Sequence, residues 1–310
     1  MPASTDFVRA GNWVFGTGLR GAASAELFGK MEAGLQAAGS SLSRVARLDQ
    51  YYPDFSCVPP YQAARKQAFE RRQVAPSTSV VVSALQDGSS QVDVQVMAAS
   101  AESGYQVSEV QTGLNRPDTS GYAPALRVGD LVFVAGQLAR DASGQLAARG
   151  VAAETDFIVQ RRILPALQAA ESALELVLKA QVYLNGDEAA FRKAWKRAFG
   201  ARMPPTTVVH VKHPAFLTRE ATVEINVVAA HRSAASRIRD VKGKARSLDG
   251  LLFVGGMNSL EAAKQIFDLA HVVRGIFFHA KGAAPADPGF PYSAIEVESG
   301  FTIDLWGYAP

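Results

Sequence analysis

Three copies of a glycine-ended hydrophobic motif constrain the fold of this chain more than any other feature of its sequence. The copies are RAGNWVFGTGL at 9–19, RVGDLVFVAGQ at 127–137 and SLDGLLFVGGM at 247–257. Aligned, they share one phenylalanine and one glycine, which recur at intervals of 118 and 120 residues. A hydrophobic run that ends at glycine is typical of a buried strand reaching a tight bend. The sequence therefore predicts an array of three related units.

The middle copy shows the order of elements within one unit most clearly. Its hydrophobic hairpin is followed by helical spacing at 152–180, a short strand and turn at 181–186, and an amphipathic helix at 187–200 that ends in glycine. Segments 206–213 and 221–230 are predicted as two antiparallel strands. The predicted unit is a β-hairpin, a helix, a strand, a second helix and two strands.

The first copy repeats this order, whereas the third departs from it. In the third, the segment AAPADPGFP stands in place of the second helix, so we interpret this unit as truncated. We predict units at 1–112, 113–235 and 236–310. The joins contain a turn-rich stretch at 113–121 and a basic stretch at 231–247, and we expect the basic one to be a solvated connector.

The composition is that of an ordinary globular protein and disfavours a nucleic-acid-binding, membrane or secreted protein. The 310 residues are 48% apolar and 20% charged, with a net charge of +3. This surplus is too weak to indicate a nucleic-acid or membrane surface. No stretch approaches the roughly 18 apolar residues of a membrane span, and the first residues lack a secretory pattern. One cysteine, Cys57, allows no intrachain disulfide. We expect a cytoplasmic protein without a membrane partner.

The middle copy resembles the Rid (reactive intermediate deaminase, YjgF-like) family, formerly called L-PSP endoribonucleases, over roughly residues 118–230. The resemblance is carried by LRVGDLVFVAGQ, LELVLKAQVYLNGDEAAFRKAW, PPTTVVHV and ATVEINVVAA in that order. It implies an α+β fold of tandem chorismate-mutase-like (Rid-like) units, which in that family associate as homotrimers with ligand clefts between neighbours. Three copies in one chain then predict an intramolecular pseudo-trimer, and a homodimer of such pseudo-trimers is compatible with this prediction.

The resemblance also locates a missing residue, the arginine with which the family clamps its substrate carboxylate. Thr78, Thr206 and Tyr292 stand at this position in the three copies. Threonine and tyrosine cannot replace the bidentate grip of a guanidinium on a carboxylate. Lys212 and Arg219 are the nearest candidates in the sequence for a substitute anion clamp.

The family's catalytic glutamate has candidate counterparts in all three copies, namely Glu224 in the middle, Asp93 in the first and Asp304 in the third. Each is predicted to lie on a strand among apolar residues. A carboxylate there either faces a polar cavity, where burial suits it to general acid–base chemistry, or accepts structural hydrogen bonds. Both interpretations stay open for all three.

Four further residues complete the candidate site. In the family, a tyrosine before the first strand lines the cleft, and Tyr122 matches it, while Gly136 and Gln137 match a Gly-Gln pair at the strand end. His210 alternates with two valines and is expected to face the cleft side of its strand. No cysteine or carboxylate completes a metal pattern with the histidines, so we expect no metal and no cofactor.

The favoured interpretation is a hydrolase or deaminase that acts on an imine, enamine or related unsaturated small molecule at a cleft between repeats, with Glu224 and Tyr122 as catalytic residues. The missing arginine argues against the standard activity on 2-imino acids. Two alternatives stay open: a chorismatase-like enzyme using Glu296 or Asp304, and a non-catalytic small-molecule-binding or scaffold protein. Nucleic acid is not an expected partner.

Overall fold

The computed structural model describes residues 6–70, 74–114 and 121–309 as a mixed α+β protein with three sheets. Residues 115–120 of the predicted turn-rich join lie outside the described residues. The tandem arrangement predicted from the repeats is confirmed, because the sheets follow one another along the chain. Of the helices that the structure describes, none is both long and apolar enough to cross a bilayer.

The first unit spans residues 6–99, and five of its six strands form the first sheet. Its elements are β1 (Asp6–Ala10), β2 (Trp13–Gly21), α1 (Ser24–Ala37), β3 (Val45–Tyr52), α2 (Val58–Ala68), β4 (Ser77–Val81), β5 (Ala84–Leu85) and β6 (Val92–Ala99). Five strands lie in the order β1-β2-β6-β3-β4. Leu27, Met31 and Leu35 recur at four-residue spacing on α1 and are buried, which fixes the face of the helix that packs into the core.

The second sheet is built from residues 107–230. Its elements are β7 (Val107–Glu109), β8 (Ala125–Val128), β9 (Leu131–Gln137), α3 (Val151–Ile158), α4 (Leu164–Ala169), β10 (Val177–Leu184), α5 (Glu188–Phe199), β11 (Thr206–His210) and β12 (Val223–Ala230). The strand order is β11-β10-β12-β9-β8-β7. A π-helical turn at 159–163 joins α3 to α4.

The second sheet differs from the prediction in two places. The helix expected over 152–180 ends at Ala169, and the strand begins at Val177, because a fully buried strand is a continuous apolar run that periodicity cannot separate from a helix. The segments 206–213 and 221–230 do not form a hairpin. Strand β10 lies between β11, which is parallel to it, and β12, which is antiparallel to it.

The third sheet is built from residues 239–308 and has a single short α-helix. Its elements are β13 (Arg239–Val241), β14 (Ala245–Leu248), β15 (Leu251–Met257), α6 (Leu260–Lys264), β16 (Val272–His279), β17 (Tyr292–Glu296) and β18 (Phe301–Tyr308). The order is β13-β14-β15-β18-β16-β17-β5, so β5 of the first unit closes one edge.

The basic stretch at 231–247 is largely exposed, as expected for a solvated connector, but it also forms part of a sheet. It contributes β13 and the start of β14 to the third sheet. Arg246 is 5% exposed and donates hydrogen bonds to the carbonyl of Val177 in the second unit and to the carboxylate of Asp240. A long cationic side chain can cross between two sheets when its donors find carbonyl and carboxylate partners there.

Equivalent strands of the three sheets meet along a common axis. Tyr51 of β3, Tyr183 of β10 and Phe278 of β16 form a triangle whose ring centroids lie 5.6–6.2 Å apart. The phenol oxygens of the two tyrosines are 2.7 Å apart. Three equivalent rings of one chain touch in this way because the three sheets surround the axis, which is the pseudo-trimeric arrangement that the repeats predict.

Buried charges lie near the same axis, two to four residues before these rings on the three strands and at Asp304 of β18. Arg274 donates to Asp49 at 2.8 Å and to Asp304 at 2.9 Å, Lys179 lies 2.8 Å from Asp304, and Arg47 lies 2.9 Å from Asp49. Burial alone raises the pKa of a carboxyl, but Lys179 and Arg274 hold the pKa of Asp304 below its usual range. Every charge here has an opposite partner, as an interior of low polarity requires.

Candidate functional site

A cavity of roughly 410 Å³ opens between the first and second units. It is bounded by α2 and β4 of the first unit and by β9, β12 and the loop before β12 of the second. Its polar lining is formed by Gln62, Arg65, Ser77, Ser79, Tyr122, Arg140, Arg219 and Glu224. Its apolar lining is formed by Phe55, Val58, Pro59, Leu138 and Leu217, with Gly136 at the end of β9.

Glu224 is the one acidic side chain in this lining. It projects from β12, where its neighbour across the sheet is Tyr183, and is 5% exposed. Burial raises the pKa of its carboxyl to about 8, against the opposing pull of the Arg140 charge and of the backbone N–H of Ser79. Among the described residues, no cation lies within ion-pair distance of this carboxylate. At neutral pH both protonation states of Glu224 are therefore within reach.

Gly136 makes the space that the Glu224 carboxyl occupies. A Cβ built on Gly136 would lie 2.0 Å from Oε1 of Glu224 and 3.1 Å from Cγ2 of Thr78. The backbone of Gly136 does not have a positive φ, so its requirement for glycine comes from this close approach. In the second unit, the glycine that ends the repeated motif thus leaves room for the carboxyl of Glu224.

The strand register shows which residues correspond to Glu224 in the other units. The motif phenylalanines Phe133, Phe15 and Phe253 pair with Val228, Met97 and Trp306 respectively. Counting back four residues from each partner gives Glu224, Asp93 and Thr302. Asp304 is therefore the counterpart of Asn226, two residues beyond the glutamate position, which corrects the alignment made from sequence.

The structure separates Asp93 and Asp304 from the cavity. Asp93 is fully buried, accepts a hydrogen bond from Nε of Arg20 at 2.7 Å and also contacts Ser293 of the third unit. Asp304 lies on the axis and accepts from Thr207 at 2.6 Å in addition to its two cations. Both acids are thus neutralised within the protein, and Glu224 is the one of the three that faces open space.

The position of the missing arginine also shifts by one residue in the first unit. Asp49, Gln181 and Ile276 are equivalent, and they pair with Thr78, Thr207 and Ser293. The residue that corresponds to Thr206 and Tyr292 is consequently Ser77, which lines the cavity. Thr206 itself lies elsewhere, where its hydroxyl donates to the carbonyl of Pro204 and accepts from the indole of Trp195.

Arginines from three other elements line the cavity instead. Nη1 of Arg65, on α2, donates to the hydroxyl of Ser77 at 2.9 Å, so this guanidinium sits on the position from which the family's arginine is absent. Nε of Arg140, just after β9, donates to Thr218. The guanidinium of Arg219 lies 4.5 Å from the ring centre of Phe55.

Sequence reasoning proposed Arg219 but missed Arg65 and Arg140. A signal for Arg65 exists, because Val58, Tyr61 and Arg65 share the buried face of α2, and an arginine on such a face needs a polar environment. The other proposed clamp residue, Lys212, donates to the carbonyl of Pro53 and is not part of the cavity lining.

The remaining candidates fall into two groups. Tyr122 lines the cavity, and burial together with the nearby charge of Glu224 raises the pKa of its phenol, so it stays a neutral hydrogen-bond donor. Gln137 is not part of the cavity lining, and its side-chain oxygen accepts a hydrogen bond of 3.1 Å from Nε of Arg162, a residue of the π-helical turn. His210 lies outside the cavity and pairs with Glu188 at 2.7 Å. Within the described ranges, no three His, Cys, Asp or Glu side chains cluster as metal ligands.

Comparison with known proteins finds similarities that cover part of this chain. Residues 113–231 match the family model described as Endoribonuclease L-PSP. A RutC family protein of Pyrococcus abyssi is 28% identical over 111 residues, which are 35% of this chain and 84% of that protein. A solved Mycobacterium tuberculosis member of the YjgF/YER057c/UK114 family is 28% identical and covers 40% of this chain and 99% of its own, with a TM-score of 0.35. RidA of an Antarctic Psychrobacter is 24% identical, with coverages of 39% and 95% and a TM-score of 0.36.

Proposed function

We propose that this chain, a member of the Rid family through its middle repeat, is a hydrolase that deaminates an imine, enamine or related unsaturated small molecule. The reaction would take place in the cavity between the first and second units. The observation that carries this proposal is the state of Glu224, a buried carboxyl without an ion-pair partner among the described residues, which faces open space and has a pKa of about 8. A general acid–base catalyst works best when its pKa is close to the operating pH.

Hydrolysis of an imine requires one water, both of whose protons end on the nitrogen. In its ionised form Glu224 accepts a proton from a water molecule as the water oxygen bonds to the imine carbon. The resulting acid returns this proton to the nitrogen, which gives a carbinolamine. The Glu224 carboxylate then takes the proton of the new hydroxyl group and delivers it to the nitrogen as the C–N bond breaks, so that ammonia and a carbonyl compound are released. The carboxyl ends the cycle in the form in which it began, so no other reactant is needed.

Tyr122 and the backbone around Gly136 complete the proposed machinery. The phenol of Tyr122 is neutral at physiological pH and supplies a hydrogen bond to the oxygen or nitrogen that gains charge during addition. Gly136 keeps the carboxyl of Glu224 against β9, because any side chain there would occupy the same volume. Together they hold Glu224 in one orientation toward the substrate.

The arginine arrangement favours a substrate other than the simple 2-imino acids of the wider family. Ser77 occupies the position of the usual clamp, and the guanidinium groups come from Arg65, Arg140 and Arg219. Their placement on α2 and on two loops differs from that of one arginine on a strand. An anionic substrate still fits, but it would bind in a different orientation.

Turnover tests this proposal. A panel of imines is generated in situ, by a flavin amine oxidase from primary amines that carry an anionic group away from the nitrogen and by an amino-acid oxidase from amino acids for comparison, and release of ammonia and carbonyl product is followed with and without the protein. We expect acceleration by the wild type, a loss of at least 100-fold in Glu224→Gln, and wild-type rates in the control Glu220→Gln, which changes an exposed acid. Full activity of Glu224→Gln would remove the assigned role.

One observation favours a second candidate, the chorismatase-like enzyme. Its dicarboxylate substrate requires several cations, and three arginines line the cavity. The acids first considered for this chemistry, Glu296 and Asp304, do not line the cavity, so Glu224 would have to take their role. Because chorismate contains no nitrogen, its consumption without ammonia release distinguishes this reaction from deamination.

A further inference from the structure

We propose that the ligand of this cavity carries two separate anionic groups on a small apolar body, each held at its own cationic position. The inference names the substrate class of the proposed function and shares its cavity. It concerns binding alone and is therefore tested without turnover.

The inner cationic position is formed by Arg65 and Arg140. Arg65 is 1% exposed, and its guanidinium is fixed by Ser77 on one side and lies 5.9 Å from the ring centre of Tyr122. The charge of Arg140 reaches both Tyr122 and Glu224, whose pKa values it lowers against the effect of burial. Both guanidinium groups thus lie around the residues assigned to catalysis.

The outer cationic position is Arg219. This residue belongs to the loop before β12 and is exposed, and its guanidinium lies 4.5 Å from the ring centre of Phe55 on the opposite wall. The contact with an aromatic face orients the planar fork while leaving its edge free for a second partner. Arg219 and Phe55 come from different units, so this position exists only where the two units meet.

Charge balance calls for more than one anionic group. Arg140 and Arg219 face one acid in this lining, and with a pKa of about 8 only roughly a tenth of Glu224 is ionised at pH 7. A ligand with a single negative charge would leave one of these two cations unbalanced. A guanidinium matches the two oxygens of a carboxylate or phosphate with two parallel hydrogen bonds.

The apolar lining describes the body that joins the two anionic groups. Val58, Leu138 and Leu217 lie among the arginines and offer no hydrogen-bond partner to a hydroxylated or amidated ligand. A cavity of roughly 410 Å³ is at the small end of the range for ligand sites. A single unsaturated ring or a short unsaturated chain with two carboxylates fits this description.

Three aromatic probes test the inference by calorimetric titration at pH 7 and low salt. They are benzoate with one charge, benzene-1,3-dicarboxylate with two separated charges, and phenyl phosphate with its charge on one group. We expect the dicarboxylate to bind at least tenfold more tightly than either of the others. Equal binding of benzoate and the dicarboxylate would overturn the inference, as would tightest binding of phenyl phosphate or no dicarboxylate binding at millimolar concentration.

Variants then separate the two positions. Arg219→Gln should reduce dicarboxylate affinity at least tenfold, to the level of benzoate, and leave benzoate binding unchanged. The control Arg192→Gln, at an exposed arginine of α5 that pairs with Glu188, should change neither. Glu224→Gln should keep the dicarboxylate preference even though the proposed function requires it to lose turnover. An Arg219→Gln protein that retains the preference contradicts the outer position.

Discussion

Gly136 and Glu224 lie so close together that a side chain at position 136 would occupy the place of the Glu224 carboxyl. A Cβ built there would be 2.0 Å from Oε1 of Glu224, well inside the contact distance of the two atoms. The same approach explains why the hydrophobic run of β9 ends in glycine. The relationship joins the repeat motif to the acid on which the proposed chemistry depends.

Gly136→Ala should therefore disable the site while preserving the fold. The added methyl displaces the Glu224 carboxyl, the flexible end of its side chain, so the protein yields by moving the acid. We expect turnover to fall at least tenfold, with a stability loss of about 1–3 kcal/mol from overpacking. Gly29→Ala is the matched control, because its Cβ meets open space on α1. Unchanged turnover in Gly136→Ala would show that the acid does not need this orientation.

The pKa of Glu224 predicts how stability depends on pH. Its carboxyl has a pKa of about 8 in the folded protein against an ordinary value of 4.5, so the folded state binds the extra proton between these values. Stability contributed by this group is consequently lost as pH rises through that window. Glu224→Gln removes the loss and should be more stable than wild type at pH 9, by up to roughly 5 kcal/mol at about 1.4 kcal/mol per pKa unit.

Urea denaturation at pH 5, 7 and 9 measures this effect. The difference between Glu224→Gln and wild type should be small at pH 5 and grow with pH. The exposed control Glu220→Gln should show no such growth. A constant difference at all three values would mean that the carboxyl of Glu224 is not buried as described.

The sequence was sufficient for the fold because repetition supplied long-range information that local patterns lack. The three motifs predicted tandem α+β units, and equivalent rings such as Tyr51 and Tyr183 meet on the axis in consequence. Local patterns failed where burial is complete. The run at 177–180 has no period that separates a strand from a helix, and Arg246 is buried between two sheets although the rest of the basic stretch at 231–247 is largely exposed.

The site could be predicted only where it follows the repeat. Glu224, Tyr122 and Gly136 lie at motif positions and line one cavity. Arg65 and Arg140 lie at positions that no family motif marks, and they meet only because two distant parts of the chain fold together. The sequence also could not show whether an acid is neutralised inside the protein, because its partners can come from another unit, as Ser293 does for Asp93.

The buried charges on the axis predict a large difference between two ion pairs. Asp304→Asn leaves Lys179 and Arg274 without their shared partner and should cost about 3–5 kcal/mol of stability. Asp156→Asn removes a pair with Arg197 whose side chains are 43% and 54% exposed, and should cost under about 1 kcal/mol. Because the pKa of Asp304 is lowered, its contribution is present above the ordinary value near 3.8 and fades as pH falls further.

Denaturation at pH 7 compares the two variants directly. Nearly equal costs would contradict the closed, dry axis between the sheets. If Asp304→Asn does not fold, the conservative Lys179→Arg, which keeps the charge, should still fold and retain most of the stability of the wild type. If neither variant folds, the axis tolerates no change in the shape of these two side chains, whether or not the charge is kept.

The hydroxyl contact between Tyr51 and Tyr183 offers a test of whether the three units that surround the axis belong to one chain. The two oxygens are 2.7 Å apart, and both residues are fully buried. Either single change to phenylalanine leaves the other hydroxyl without its best partner and should cost about 1–2 kcal/mol. The double variant removes both groups and should cost less than the sum of the two single changes, by about 1 kcal/mol. Tyr105→Phe loses a hydrogen bond from Asn12 instead, shares no partner with Tyr51, and its cost should add to that of Tyr51→Phe without coupling.

Because the contact between Tyr51 and Tyr183 lies within one chain, the coupling should not change between dilute and concentrated protein. A coupling that disappears on dilution would place these tyrosines between chains and contradict a ring built from a single polypeptide.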